Sequence, residues 1–156
     1  MTIQWSRVAA PDLDAARLYA LLALRAEIFV VEQRCAYQDV DGRDLLPSTL
    51  HVLGWRGQRL AACLRVLDDA AHGRTAIGRV CVAAPERGRG HGHELMRQGM
   101  QAALQRWPER PVYLSAQSHL QGFYAAHGFA PVTGPYLEDG IPHVGMTWRP
   151  ARPPLS

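Results

Sequence analysis

The sequence predicts an α/β (α+β) fold, a mixed and mostly antiparallel central sheet flanked by helices, with its elements in the order βαβββαβαββ. Three observations predict it. Short segments of alternating or continuous apolar residues recur between turn residues; two longer segments repeat their apolar residues at helical spacing; and a glycine-rich turn joins a buried strand directly to the second of these helices. At 156 residues the chain has the length of one ordinary domain and can bury a core. A single domain over 1–149 is expected, followed by a proline-rich tail at 150–156.

Residues 3–8 set Ile3 and Trp5 against Gln4 and Ser6, the alternation of a first strand, which Pro11 ends. A helix follows with Asp12 as N-cap. Its apolar residues, among them Leu21, Leu24 and Ile28, recur at helical spacing as far as Gln33, with a break or bend on the way. From 37 to 48 the pattern gives way to Asp39, Asp41, Gly42, Asp44 and Pro47, a loop long enough to carry function. Segments 50–55 and 59–67 form an antiparallel hairpin through Arg56-Gly57-Gln58, and 75–83 is a further strand ended by Pro85. After the glycines a helix over 94–107 offers Leu95, Met96, Met100, Ala103 and Leu104 to the core. Residues 112–116 are a strand, and Ser118 with Gln121 is a capping-box signature for a short helix closed by Gly128. Apolar segments at 131–137 and 144–148, separated by Glu138-Asp139-Gly140, make a closing antiparallel pair.

Composition narrows the function classes. With 47% apolar and 20% charged residues and no run near the roughly eighteen apolar residues of a membrane helix, no membrane partner is expected. Residues 1–12 lack the basic head and apolar run of a signal peptide, so a cytoplasmic location is expected. Cys35, Cys63 and Cys81 are odd in number and form no CxxC pair, which indicates neither a disulfide framework nor a zinc ribbon. Cys63 and Cys81 read as buried thiols in apolar runs, while Cys35 stays open. The net charge of +3 comes from scattered arginines, not interleaved with aromatics, so it suits a phosphate-bearing small ligand and no nucleic acid is expected. His91 and His93 form an HxH pair without a third ligand near them, so no metal is expected.

The sharpest feature is Val80-Cys81-Val82-Ala83-Ala84-Pro85-Glu86-Arg87-Gly88-Arg89-Gly90-His91-Gly92, an apolar strand running into glycines that open a helix. Glycines let backbone approach a phosphate, and the unpaired N–H groups of a helix start carry about half a positive charge toward it. Arg87 and Arg89 add to that charge. The spacing excludes two other cradles: GxGxxG requires glycine where His93 stands, and no GK[ST] follows for a Walker-type phosphate-binding loop.

Arg87-Gly88-Arg89-Gly90-His91-Gly92 matches the signature [RQ]xxGx[GA], and Phe123-Tyr124-Ala125-Ala126-His127-Gly128-Phe129 supplies a helix with an aromatic pair followed by GF. On these motifs and on the order of its elements, the chain resembles the GNAT superfamily of N-acetyltransferases. Arg25-Ala26-Glu27-Ile28-Phe29-Val30-Val31-Glu32-Gln33 and Glu138-Asp139-Gly140-Ile141-Pro142-His143-Val144-Gly145-Met146 resemble its ElaA-like branch, over nearly the whole chain. The resemblance implies acetyl-coenzyme A as cosubstrate and an amine as acceptor, without naming that amine. It implies that the backbone of Val80, Cys81 and Val82 pairs with the pantetheine arm, that Arg87, Gly88, Arg89, Gly90, His91 and Gly92 grip the pyrophosphate, and that Tyr124 protonates the leaving thiolate. It also allows edge strands to pair across a homodimer.

Attack on a thioester requires a neutral amine. A lysine-type amine, with a pKa of about 10.4, costs about 4.6 kcal/mol to deprotonate at pH 7, and an α-amine about one to one and a half. Four residues are candidates for the base: His143, beside Glu138 and Asp139; Glu32, at the end of the first helix; His51; and His119. No strand glutamate stands out as base, which favours a second reading, a non-catalytic acyl-coenzyme A sensor or interaction module of the same fold.

Overall fold

A computed structural model of the chain describes residues 2–151, so the expected tail lies outside the described residues from 152 onward. The first strand, β1 (Gln4–Ala9), leads through a 3-10 turn into helix α1 (Ala15–Arg25). The N-cap is Asp14 rather than Asp12: its carboxylate accepts the Arg17 N–H at 2.9 Å. Pro11 sets the tight turn Ala10–Asp12, which takes Asp12 out of the capping place and starts the helix later. α1 runs on as a π-helix over Ala26–Glu32, closed by the Gln33 N–H donating to the Ile28 carbonyl at 3.0 Å. This wider winding is the bend that the sequence predicts.

The remaining strands are β2 (Leu50–Arg56), β3 (Arg59–Asp69), β4 (Arg74–Val82), β5 (Val112–Gln117), β6 (Ala130–Pro131), β7 (Tyr136–Glu138) and β8 (Ile141–Trp148). Two further helices are α2 (His91–Arg106) and α3 (Gln121–Ala125). The sheet order is β1-β2-β3-β4-β5-β8-β6, with β7 also on β8, and every pairing is antiparallel except β4 with β5. The closing pair expected from the sequence is therefore three strands. The capping box is not formed: Ser118 enters a 3-10 turn, its hydroxyl finds no partner among the described residues, and the Gln121 side chain donates to the Ser118 carbonyl at 3.2 Å.

Alternation along the central strands buries the sheet on both faces. Ala62, Leu64 and Val66 of β3 meet Leu95, Met96 and Ala103 of α2, while Leu53, Cys63 and Cys81 meet Leu21 and Leu24 of α1 and Ile28 of its π-helical continuation. Each fully buried leucine contributes roughly 1.5–3 kcal/mol. α2 lies so close to β3 that a Cβ at Gly99 would stand 2.7 Å from Leu64 Cδ2, which explains a glycine inside a helix. No helix among the described residues is long and apolar enough to cross a membrane.

Candidate active site

β4 and β5 pair only at Thr75↔Val112 and Ala76↔Tyr113, while β5 keeps β8 as partner along its whole length. β4 is also irregular: its register on β3 shifts between Cys63 and Arg65, and Arg79 adopts a left-handed φ of 52°. The two strands part, and a cavity of about 620 Å³ opens between them. Beyond Ala76 the outer edge of β4 has no strand beside it, so its backbone groups face that cavity instead of a sheet partner. Val80, Cys81 and Val82 all line it.

At one end the cavity reaches Arg87 and the glycine turn. Gly88 and Gly90 have φ of 78° and 82°, a region that side chains rarely enter, and the space a Cβ would occupy at either is open. Gly90 is the N-cap of α2 and brings no side-chain cap, so the first N–H groups of a 16-residue helix are left to an external acceptor. Glu86 fixes this turn from below. It is buried, takes two hydrogen bonds from Arg56 at 2.6 and 2.7 Å and one from Arg59 at 3.1 Å, and the Arg56 bond lowers its pKa to about 2. Arg87 itself is held away from the turn: it donates to both carboxylate oxygens of Glu32 at 2.9 and 2.6 Å and to the Val82 carbonyl at 3.1 Å.

Tyr124 and His143 line the same cavity beyond the β4 edge. Tyr124 is 7% exposed, packed edge-on against Phe123 and Phe129, and its hydroxyl makes no hydrogen bond among the described residues. Burial, with the neighbouring Cys81 second, raises its pKa to about 12, so it keeps its proton through neutral pH. His143 Nδ1 stands 2.7 Å from the Ile141 carbonyl, an acceptor only, so Nδ1 carries a hydrogen and the lone pair of the neutral ring is on Nε2. Nε2 is 3.2 Å from Glu138 Oε2, and Glu138 Oε1 accepts from the Ser115 hydroxyl at 3.4 Å, which also bonds the Tyr136 hydroxyl. A proton brought between Nε2 and Glu138 is therefore shared by two acceptors.

Residues 25–150 match the acetyltransferase (GNAT) domain family. The chain belongs to this family. It is 48% identical over 146 residues to protein ElaA of Escherichia coli strain K12, covering 92% of this chain and 95% of that one. An acyl-CoA N-acyltransferase from Pseudomonas aeruginosa superposes with a TM-score of 0.91 at 51% identity, over 94% of this chain and 99% of the other. The crystal structure of Escherichia coli ElaA gives 0.90 at 46% identity, over 94% and 99%.

In this GNAT chain the residues singled out in the sequence divide into three groups. Val80, Cys81, Val82, Arg87, Tyr124, Glu32, His143 and His119 share the cavity wall, and the turn Gly88, Arg89, Gly90, His91 and Gly92 continues from its Arg87 end. His51 stands apart. It is buried at 1% exposure with Nε2 donating to the Asp44 carbonyl at 2.8 Å, which leaves it anchoring the 37–48 loop. The HxH pair separates, with His91 3.5 Å from Glu86 and His93 2.9 Å from His127 in the turn after α3. All three cysteines are free and buried, Cys35 included, with Cys63 and Cys81 facing each other across β3 and β4 at 3.5 Å. Sequence reading gave no role to Glu86, Arg79, Ser115 and Tyr136; Tyr37 entered it only through the family resemblance, and Glu138 as a carboxylate near His143.

Proposed function

We propose that the protein is a cytoplasmic N-acetyltransferase, one domain over 1–149, that passes the acetyl group of acetyl-coenzyme A to an amine by direct attack on the thioester. The observation that carries this reading is the cavity between the parted strands, which joins an unpaired strand edge, an anion cradle and a pair of proton-handling side chains. The β4 edge at Val80, Cys81 and Val82 offers backbone groups to an amide-bearing pantetheine arm. Arg87, Gly88, Arg89, Gly90, His91 and Gly92 suit its pyrophosphate. The reacting ammonium gives one proton to the His143 and Glu138 pair, the new C–N bond forms as the C–S bond breaks, the Tyr124 hydroxyl gives its proton to the leaving sulfur, and the second proton lost from nitrogen restores the tyrosine. Atoms and charge balance as ammonium plus thioester giving amide, thiol and one released proton. Glu32 is the weaker base, since the hydrogen bonds from Arg87 hold its carboxyl below the ordinary range. One chain supplies every residue in this reading, so a homodimer is not required for it.

Release of coenzyme thiol from acetyl-coenzyme A should depend on added amine. Tyr124→Phe should lower kcat by about a hundredfold or more while coenzyme affinity changes little. Tight coenzyme binding with no amine-dependent thiol release from any amine would instead favour the sensor reading.

A further inference from the structure

The charge of the cavity wall rests on three carboxylates, Glu32, Glu138 and Asp139, and two guanidiniums, Arg79 and Arg87. Both guanidiniums are engaged. Arg79 lies 2.8 Å from Asp39 and 3.4 Å from Asp41, donates to the Asp39 carbonyl at 3.0 Å, and stacks over the Tyr37 ring. Asp39 and Asp41 stand behind the wall in a network where Arg25, Arg65 and Arg79 meet Asp39, Asp41 and Asp44, equal numbers of each sign. Arg87 is paired with Glu32. On the other side of the cavity, Glu138 contacts His143 and Ser115, and neither it nor Asp139 forms an ion pair with an arginine among the described residues.

Once a pyrophosphate draws Arg87 into the cradle, Glu32 loses its partner. Glu32, Glu138 and Asp139 then share one cavity with no unengaged arginine, which favours a ligand of more than one positive charge and opposes a carboxylate. We propose that the acceptor is an aliphatic diamine or polyamine: a primary alkyl amine that carries a second cationic nitrogen and no carboxylate. This rests on the acetyl transfer proposed above. One nitrogen reaches the His143 and Glu138 pair and loses its proton there; the second stays charged against Asp139 and Glu32. A free amino acid brings a carboxylate into the same field and finds no arginine to receive it. The chain contains no lysine, so the protein adds no ε-amine of its own to an assay of acceptors.

The test is the initial rate of thiol release from acetyl-coenzyme A with diaminobutane, butylamine, free lysine and a peptide with blocked termini whose one charged group is a lysine, with the thermal shift by coenzyme read in parallel. The expected kcat/KM for diaminobutane exceeds each of the other three by roughly tenfold, with the advantage shrinking at high salt. In Asp139→Asn, a change that a left-handed turn position tolerates, the ratio of diaminobutane to butylamine should fall several-fold through KM. Coenzyme binding together with lysine, butylamine or the peptide matching the diamine, or with turnover of none of the four, overturns the diamine and leaves the coenzyme reading standing. Absence of coenzyme binding overturns the acetyl transfer as well.

Discussion

Glu32 and Arg87 are joined by two hydrogen bonds, so the guanidinium suited to the cradle is occupied and the nearby carboxylate is a poor base while the pair lasts. In the proposed reading, coenzyme phosphate and Glu32 compete for one side chain. Glu32→Gln should tighten coenzyme binding by up to about fivefold, measured by calorimetry, because a half-exposed pair opposes the exchange only weakly. A fall in kcat with unchanged coenzyme affinity would assign Glu32 to proton transfer instead. Arg87, Tyr124 and the glycines were legible because each stands in a short motif whose spacing has a mechanical reason. Glu86 and Arg79 were not, since their partners, Arg56 and Asp39, lie tens of residues away and nothing local announces the pairing.

The 37–48 loop shows what an element gains from such distant pairs. Buried Arg25 takes Asp39 at 3.0 Å and Asp44 at 2.6 Å, and Arg65 takes Asp41 at 2.6 Å, which pins an irregular segment to α1 and β3 and sets Tyr37 on the cavity wall. Asp44→Asn, which strips a partner from both Arg25 and Arg65, should cost about 3–5 kcal/mol in urea unfolding. Acid should act in two stages. Burial lowers the pKa of His51 and His127, so both fold neutral, and the stability this implies is lost as pH falls below their ordinary 6.5. Burial also raises Asp41 and Asp44, but the bonds from Arg65 and Arg25 outweigh it and hold both carboxyls low. Their contribution is present above the ordinary 3.8 and disappears as pH drops through the lower folded values, so the thermal midpoint should fall again there. A midpoint that stays level from neutral pH to below 3.8 would contradict both assignments. The sequence marked this stretch as a loop but not as a buried one, because aspartates read as solvated until their arginines are found. The helix start was misjudged for a related reason, two acids two residues apart, Asp12 and Asp14, competing for one cap with Pro11 deciding between them.

For the molecule as a whole, periodicity and turn residues predicted the order and type of nearly every element, since burial on both sheet faces imposes a plain pattern. The parting of β4 and β5 left no such mark. It comes from where pairing stops, a property of two strands separated by α2, and it is what turns a sheet into a container. Acetyl-coenzyme A use by that container is the central claim, and the thermal midpoint with acetyl-coenzyme A, coenzyme A, ATP or NAD tests it most directly. Arg87→Glu with Gly90→Val serves as the control protein. At a hundred times its dissociation constant the coenzyme should add about 2.7 kcal/mol, a rise of about 5–10 °C, with either coenzyme form, with no equal rise from ATP or NAD, and with none in the folded double variant. No rise with either coenzyme form at millimolar concentration, or an equal rise with ATP, would contradict the account.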